Sequence, residues 1–159
     1  MPQNTFCLYR WGSVSDFERL GQVMFDAVHT NTSPYSPAQQ RAWSPAPPQG
    51  NGWAQALSAQ HIAVLADKEN TAQGFVTLTP EGLLDFAFIA PEWQRQGRLR
   101  HMFAMIMIRA RSLKLSSITT YASLSAQPGF AKLGFTLEHH EEVERHGEHL
   151  KRAKMTRIL

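Results

Sequence analysis

The stretch from Phe88 to Phe103 reads FIAPEWQRQGRLRHMF, and it decides the fold. An apolar run ends at Pro91, a polar loop follows with Gly97 at its centre, and apolar residues recur at helical spacing from Leu99 onward. The pattern predicts a strand, a glycine loop and a long helix. The start of a helix presents unpaired backbone N–H groups and the positive end of the helix dipole, so it holds phosphate well.

The loop has further features that suit an anion. Gly97 lets the backbone approach a phosphate with no side chain in the way. Arg95, Arg98 and Arg100 add positive charge, and a guanidinium group matches the geometry of phosphate oxygens. The window therefore predicts a ligand with several phosphates. The alternative is a plain turn at Gly97 with solvent-facing arginines around it.

Outward from this window, hydrophobic periodicity predicts an α/β domain with a mixed sheet. Strands are predicted over Phe6–Trp11, His61–Ala66, Gly74–Thr79, Leu83–Ala90 and Ile118–Ala122, and a terminal hairpin over Thr136–Leu159 around His146-Gly147. Helices are predicted from Phe17 to about His29–Thr32, over Ala38–Trp43 and Trp53–Ala59, from Leu99 to Ala110, and over Ala126–Leu133 before Gly134.

The segment Ser44–Gly52, SPAPPQGNG, has the weakest pattern for regular structure. Such composition is typical of a surface connector between elements. The alternative is a mobile loop beside a binding cleft.

Composition indicates one globular domain over residues 1–159. Hydrophobic residues make up 43% of the chain and charged residues 18%, which excludes a disordered chain. The formal net charge is +3, from 16 Lys and Arg against 13 Asp and Glu. This mild excess suits a small anionic ligand, and the basic residues form no run of the kind that binds nucleic acid, so no nucleic-acid partner is predicted.

The single cysteine, Cys7, excludes an internal disulfide and a Cys-based zinc site. The first residues, MPQNTFCLYRW, lack the features of a signal peptide. The most apolar run, Met102–Ile108, is far shorter than the ~20 residues that span a membrane. These features predict a cytoplasmic protein with no membrane partner.

Four histidines near the carboxyl end raise the question of a metal site. They are His139, His140, His146 and His149. Adjacent histidines on a strand point to opposite faces, and the H-E-x-x-H pattern of a zinc helix does not occur. We therefore predict a hydrated hairpin and no metal.

Two segments resemble motifs of the GNAT N-acetyltransferases. Ala90–Gly97, APEWQRQG, is similar to the signature in which a strand ends in V/I-x-P and Gln/Arg-x-x-Gly-x-Gly/Ala follows over the acetyl-coenzyme A (acetyl-CoA) pyrophosphate. Ser123-x-x-Ala126-x-x-x-Phe130-x-x-Leu133-Gly134-Phe135 resembles N-x-x-A-x-x-x-Y-x-x-L-G-F, which flanks the pantetheine arm. In addition, His29-Thr30 followed by Tyr35–Trp43 resembles a largely uncharacterised bacterial GNAT subgroup.

The resemblance implies a mixed, mostly antiparallel central sheet of six to seven strands flanked by about four helices. It implies an acetyl-CoA-dependent N-acetyltransferase that acetylates a primary amine of a small molecule by direct attack in a ternary complex. The alternative is a weak or inactive GNAT-fold module that binds acyl-CoA. A homodimer is a further expectation, because the family often pairs through its terminal strands.

The resemblance also assigns residues to the coenzyme. They are Phe88, Ile89, Ala90, Gln94, Arg95, Gln96, Gly97, Arg98, Leu99, Arg100, Ser123 and Phe130. A backbone N–H at Ile89 or its neighbour is expected to polarise the thioester carbonyl, which makes it a catalytic group. Asp85 on the same strand is the candidate base, acting through a water if it is partly desolvated. The alternative for Asp85 is a solvated strand face or an arginine partner.

His29, Tyr35 and Trp43 are the candidates for the wall of the acceptor site, since the family places this helix-turn-helix beside the acceptor. For Tyr35 and Trp43 the alternative is ordinary aromatic packing. For His29 it is an interaction with the carboxyl-terminal dipole of its helix.

The chain departs from the family pattern at four positions. Leu99 stands where a second small residue is usual, and Arg98 where an aliphatic residue is usual. Leu99 either hinders the approach of phosphate or points inward as the first core residue of the helix. Ser123 replaces an asparagine, and Phe130 replaces the tyrosine that often protonates the thiolate. A thiol with a pKa of about 8.5 is a fair leaving group without that acid.

Overall fold

The computed structural model describes residues 6–30 and 32–159 of the chain. Its strands are β1 (Cys7–Trp11), β2 (His61–Asp67), β3 (Ala72–Leu78), β4 (Leu83–Ile89), β5 (Ser117–Ser123), β6 (Thr136–Arg145) and β7 (Glu148–Ile158). Its helices are α1 (Phe17–Val28), α2 (Pro37–Trp43), α3 (Gly50–Ser58), α4 (Leu99–Ser112) and α5 (Gln127–Lys132). Short 3₁₀ turns at Val14–Asp16 and Pro91–Trp93 precede α1 and the glycine loop.

The seven strands form one sheet in the order β1-β2-β3-β4-β5-β7-β6. All neighbours are antiparallel except β4 and β5, which run parallel. The predicted mixed, mostly antiparallel sheet is therefore confirmed, and five helices accompany it where about four were expected.

Two apolar cores lie on the two faces of the sheet. Phe17, Leu20 and Val23 of α1 and Trp53 and Leu57 of α3 cover one face. The other face is covered by α4, through Met102, Phe103, Ile106 and Ala110, and by Phe130 of α5. The glycine loop at the start of α4 is therefore held between a strand of the sheet and a buried helix.

Local capping explains where several elements begin. The Ser36 hydroxyl accepts a hydrogen bond from the Gln39 backbone N–H (3.1 Å), and the Gln39 side chain accepts one from the Ser36 N–H (2.8 Å). Pro37 occupies the first turn of α2, so this helix begins one residue before the predicted start. The turn before β3 is closed by Asp67, whose Oδ1 accepts the N–H groups of Glu69 and Thr71, and β3 starts at Ala72 instead of Gly74.

The connector before α3 is packed against the protein. A Cβ at Gly21 of α1 would overlap the carbonyl oxygen of Pro48. The structure thus favours the connector interpretation over a mobile loop. α3 begins at Gly50, three residues earlier than predicted, and Trp53 anchors it by donating its indole N–H to the Phe17 carbonyl (2.7 Å).

The carboxyl-terminal hairpin is confirmed. β6 and β7 pair from Thr136–Thr156 to Arg145–Glu148. The two residues between them, His146 (φ 49°) and Gly147 (φ 81°), both adopt the left-handed conformation of a two-residue hairpin turn. Gly134 (φ 89°) follows α5 in the left-handed conformation that was predicted for it.

Among the described residues, no helix combines the length and the apolar character that a membrane crossing requires. Over the same residues, no group of three or more His, Cys, Asp or Glu side chains is placed to hold a metal ion.

Candidate functional site

The sheet opens between β4 and β5. These two strands pair only at Leu83–Thr119 and Leu84–Thr120. The hydroxyl of Thr120 donates to the Leu84 carbonyl (3.0 Å) at the last of these pairs. Beyond it the two strands form no further pairs, which leaves a gap in the backbone ladder between them.

The backbone of Ile89 faces this gap. The N–H of the next residue, Ala90, donates to the Gln73 carbonyl on the β3 side (2.8 Å). Since neighbouring residues of a strand direct their backbone groups to opposite sides, the N–H and carbonyl of Ile89 point away from β3. The Ile89 carbonyl accepts a hydrogen bond from Gln94 Nε2 (2.7 Å). Its N–H is left as a donor toward the gap.

The glycine loop lies where β4 ends. Arg95 (φ 61°) and Gly97 (φ 71°) are both left-handed, and Arg98 (φ −78°) is helical. Left-handed and right-handed residues in succession turn consecutive N–H groups into one concavity that suits an anion. Residues 95–97 are exposed, and the loop leads directly into the free N–H groups of the first turn of α4.

The Arg98 side chain packs against Trp93, and the prediction that Arg98 contacts the coenzyme stays a prediction. Its guanidinium lies 4.6 Å from the centre of the Trp93 ring and donates to the Trp93 carbonyl (3.2 Å). Arg98 is only 9% exposed, so its side chain braces the loop from below and offers little to a phosphate. The exposed guanidinium groups at the loop are those of Arg95 and Arg100.

Leu99 points inward. It packs against the core beneath α4, and a Cβ at Gly129 of α5 would lie 3.7 Å from its Cδ2 atom. Of the two alternatives drawn from the sequence, the structure therefore supports a core residue. The loop backbone at Gly97 stays exposed on the other side of the helix start.

Phe130 lies in the core. It is 3% exposed, and its ring packs edge-on against Phe135 with 5.2 Å between the ring centres. The side chain has almost no exposed surface, and the assignment of Phe130 to the coenzyme stays a prediction. Unlike a tyrosine, Phe130 has no hydroxyl group that would need a hydrogen-bond partner in this core.

The carboxyl end of β5 is held by Tyr35. Its hydroxyl accepts the N–H of Leu124 (3.0 Å) and donates to the carbonyl of Lys151 in β7. Burial raises the pKa of Tyr35, against smaller opposing effects of the Leu124 N–H and Arg152, so the hydroxyl keeps its proton. Ser123 lies beside this contact, at the gap.

The three predicted acceptor-wall residues come together around α2. The rings of Tyr35 and Trp43 lie 5.7 Å apart. His29 follows α1, stacks on Phe25 with 4.2 Å between ring centres, and contacts the Ser44 carbonyl through Nε2 (2.7 Å). Tyr35 and His29 also tie the two ends of α2 to neighbouring elements, and the ring contact between Tyr35 and Trp43 agrees with the packing alternative.

Asp85 lies on β4 where the gap begins. The carboxylate is exposed, and its Oδ2 accepts a hydrogen bond from Gln60 Nε2 (2.9 Å). The solvated strand face is therefore the observed environment, and the partial desolvation that was hypothesised for Asp85 is not provided by the chain itself. Gln60 was not anticipated from the sequence, because it lies 25 residues away between α3 and β2.

Comparisons with known proteins identify the family of the chain. The family described as "Acetyltransferase (GNAT) domain" matches residues 31–157. The chain is 29% identical over 133 residues to the "Uncharacterized N-acetyltransferase YafP" of Escherichia coli (strain K12), which is 83% of each chain.

Solved structures show the same fold. A GCN5-related N-acetyltransferase from Rhodopseudomonas palustris, described as "Aminotransferase, Class-II", matches with a TM-score of 0.87 and 23% identity over 96% of this chain and 95% of that chain. A phosphinothricin acetyltransferase from Sinorhizobium meliloti in complex with AcCoA matches with a TM-score of 0.74 and 18% identity over 96% of this chain and 88% of that chain. Since the family match extends over well more than half of the sequence, the chain belongs to the GNAT acetyltransferase family.

Proposed function

We propose that this protein transfers the acetyl group of acetyl-CoA to a primary amine of a small molecule, by direct attack in a ternary complex. The observation that carries the proposal is the gap between β4 and β5, with the Ile89 N–H facing it and the Gly97 loop at its end. The Gly97 loop suits a diphosphate, and the Ile89 N–H beside it offers a donor to a carbonyl oxygen.

The loop fits the coenzyme by its donor set. Backbone N–H groups around Gly97 and at the start of α4 would hold the diphosphate, with Arg95 and Arg100 as exposed cations beside them. Gln94 supports this end of the groove by holding the Ile89 carbonyl. Ser123 lies across the gap from β4 and would contact the pantetheine arm.

When bound, acetyl-CoA supplies an acyl group whose C–S bond is exchanged for a C–N bond, with coenzyme A leaving as a thiolate. The Ile89 N–H would stabilise the charge that develops on the carbonyl oxygen, a kind of contact worth about 3 kcal/mol in the transition state. Asp85 would accept the proton of the attacking amine through a water, since its exposed carboxylate lies where the gap begins.

A second candidate function is an acyl-CoA-binding module with little or no turnover. Phe130 favours it, because no hydroxyl stands at the position where related enzymes carry a tyrosine acid. The absence of this hydroxyl is weaker support for the binding module than the groove is for the enzyme, because a thiolate can leave unaided near neutral pH.

Release of free thiol from acetyl-CoA, measured with polyamines, amino acids and aminoglycosides as acceptors, tests the two candidates. We expect thiol release that depends on one class of amine. Saturable acetyl-CoA binding in calorimetry with no thiol released from any acceptor would instead favour the binding module. Absence of any binding at millimolar acetyl-CoA would contradict both.

The Gly97 loop gives a sharper test. Gly97→Ala should weaken acetyl-CoA binding about tenfold or more, because a Cβ would crowd the concavity and a lost hydrogen bond to a charged group is worth about 1.5–3 kcal/mol. Gly147→Ala in the β6–β7 turn is the matched control. Both glycines are left-handed, with a φ of 71° and 81°, so both variants carry a similar conformational cost of about 1–2 kcal/mol.

Isothermal calorimetry on both variants measures the difference in binding, and thermal unfolding measures the shared loss of stability. Equal acetyl-CoA affinity in the two variants would show that the loop does not hold the coenzyme.

A cytoplasmic location and a homodimer are also part of the proposal. The single cysteine is consistent with a reducing compartment. Light scattering on the purified protein would test the homodimer.

A further inference from the structure

β4 carries a bulge at Asp85. Leu84 pairs with Leu78 and Ala87 pairs with Val76, so two residues of β4, Asp85 and Phe86, stand opposite the single residue Thr77. The bulge falls just where β4 leaves β5, since Leu84 is the last residue of β4 that pairs with that strand.

The bulge is fixed from within the sheet. Thr77 is completely buried, and its Oγ1 accepts the N–H of Phe86 (3.0 Å) in place of a backbone carbonyl. The Phe86 ring packs on Trp53 of α3, with 5.1 Å between ring centres. The Thr77 hydroxyl and the Phe86 ring therefore fix the backbone position from which the Asp85 side chain projects.

Gln60 meets Asp85 from the junction of α3 and β2. Its Nε2 donates to Asp85 Oδ2 at 2.9 Å. Among the ion pairs of residues 6–30 and 32–159, none includes Asp85. Within the described residues, the side chain that hydrogen-bonds to this carboxylate is thus the Gln60 amide.

The amide of Gln60 has one usable orientation. Its Oε1 is closed off from solvent and has no hydrogen-bond partner among the described residues. A flipped amide would direct an oxygen at the Asp85 carboxylate, where two acceptors would repel each other. Gln60 therefore keeps a donor on Asp85 while its own carbonyl goes unsatisfied, an arrangement that costs stability and calls for an explanation other than packing.

We propose that Gln60 is a positioning residue for proton transfer, which holds the Asp85 carboxylate at the bulge through its Nε2 donor. The inference rests on the proposed function, in which Asp85 takes the proton of the amine. By occupying Oδ2, Gln60 restricts rotation of the carboxylate and leaves Oδ1 to accept that proton. An unheld carboxylate on an exposed strand would sample several rotamers, and misplacement of a reacting group by about 1 Å can cost up to about a hundredfold in rate.

The first variant is Gln60→Leu, with Gln55→Leu on the exposed side of α3 as the matched control. We expect Gln60→Leu to lower kcat about tenfold and to leave the KM for acetyl-CoA unchanged. Its melting temperature should be no lower than that of the unmodified protein, because the substitution removes a buried carbonyl without a partner. Gln55→Leu should change neither kcat nor the KM for acetyl-CoA.

The second variant, Gln60→Glu, gives a readout that packing alone would not change. Two carboxyl groups at hydrogen-bond distance share a proton, which keeps the pair protonated to higher pH. The rising limb of the kcat–pH profile should therefore move upward by at least one pH unit. An unmoved limb would contradict the proposal.

Asp85→Asn completes the test. The double variant Asp85→Asn with Gln60→Leu should be no slower than Asp85→Asn alone, because Gln60 acts through Asp85. If the unmodified protein releases no thiol, the proposed function fails and this inference fails with it. If Asp85→Asn is impaired while Gln60→Leu has normal kcat, only the role of Gln60 is overturned.

Discussion

Arg10 on β1 and Asp16 in the turn before α1 form a two-point ion pair. Arg10 Nη1 and Nη2 each donate to one carboxylate oxygen at 2.8 Å, and the Ser13 N–H donates to Oδ2 at 2.9 Å. Burial, the largest single effect, would raise the pKa of Asp16. The hydrogen bonds from Arg10 and Ser13 together outweigh it and hold the pKa below its ordinary value of 3.8.

The sign of the pH dependence follows from this pKa. Because the folded protein lowers the pKa of Asp16, the pair stabilises the fold at pH values above about 4, and this contribution is lost as the pH falls through the folded value. Asp16→Asn should therefore destabilise the protein by about 2 kcal/mol at pH 7, the scale of hydrogen bonds to charged groups. The difference from the unmodified protein should shrink below pH 4.

Chemical unfolding at pH 3, 5 and 7 measures this effect. Glu81→Gln, an exposed carboxylate in the β3–β4 turn, serves as the control and should stay within about 0.5 kcal/mol. A constant deficit in Asp16→Asn from pH 7 to pH 3 would be inconsistent with the assigned pKa shift.

At the scale of elements, α1 and α3 contain glycines with opposite requirements. Gly21 lies in α1 under the Pro48 carbonyl oxygen, where a Cβ has no room. Gly52 lies in α3 with no atom within 4 Å of a Cβ position. The two residues share helical structure and differ in what approaches them.

The same substitution should therefore have opposite effects. Gly52→Ala should stabilise the protein by about 0.5–1 kcal/mol through helix propensity. Gly21→Ala should destabilise it by about 1–3 kcal/mol, the usual cost of overpacking, because the connector at Pro48 must move. Thermal unfolding of both variants distinguishes the signs, and a stabilising Gly21→Ala would mean that the connector yields freely.

Several elements could be predicted from local sequence because local chemistry forms them. Ser36-Pro37 starts α2, His146-Gly147 turns the hairpin, and Gly134 ends α5. α3 was predicted three residues short, since Gly50 to Gly52 have low helix propensity and the anchor of the helix, Trp53, acts through a distant carbonyl at Phe17.

The candidate site divides in the same way. The Gly97 loop was predicted because its strand, loop and helix are contiguous in sequence. Two features could not be predicted: the burial of Arg98 over Trp93 and the contact of Leu99 with α5. Both depend on which way a side chain turns at the start of α4. Gln60 left no signal at all, since its partner Asp85 is on another element.

At the scale of the whole molecule, the sheet consists of two parts, β1–β4 and β5–β7, joined through two residue pairs. The core beneath α4 spans both parts. It contains Leu65 and Val76 from the first and Ile118 and Ala153 from the second. Side-chain packing, more than backbone pairing, therefore keeps the two parts of the sheet together.

A ligand in the gap should stabilise the whole fold. At a concentration one hundred times its Kd, acetyl-CoA should add about 2.7 kcal/mol to the free energy of unfolding, which for a chain of this size raises the melting temperature by roughly 5–10 °C. Amide hydrogen exchange should slow at Ala87 and Ile89 and stay unchanged at β1. Protection confined to β1, or none, would place the ligand elsewhere.

The strand order also has a consequence for synthesis on the ribosome. β6 pairs with β7, and β7 stands between β5 and β6, although β6 is translated first. A nascent chain that has emerged only as far as Arg145 therefore holds ten residues of strand with no partner in the sheet. The part of the sheet formed by β5, β7 and β6 can therefore assemble only when Glu148–Ile158 has left the exit tunnel, so β6 waits for the strand that is translated after it.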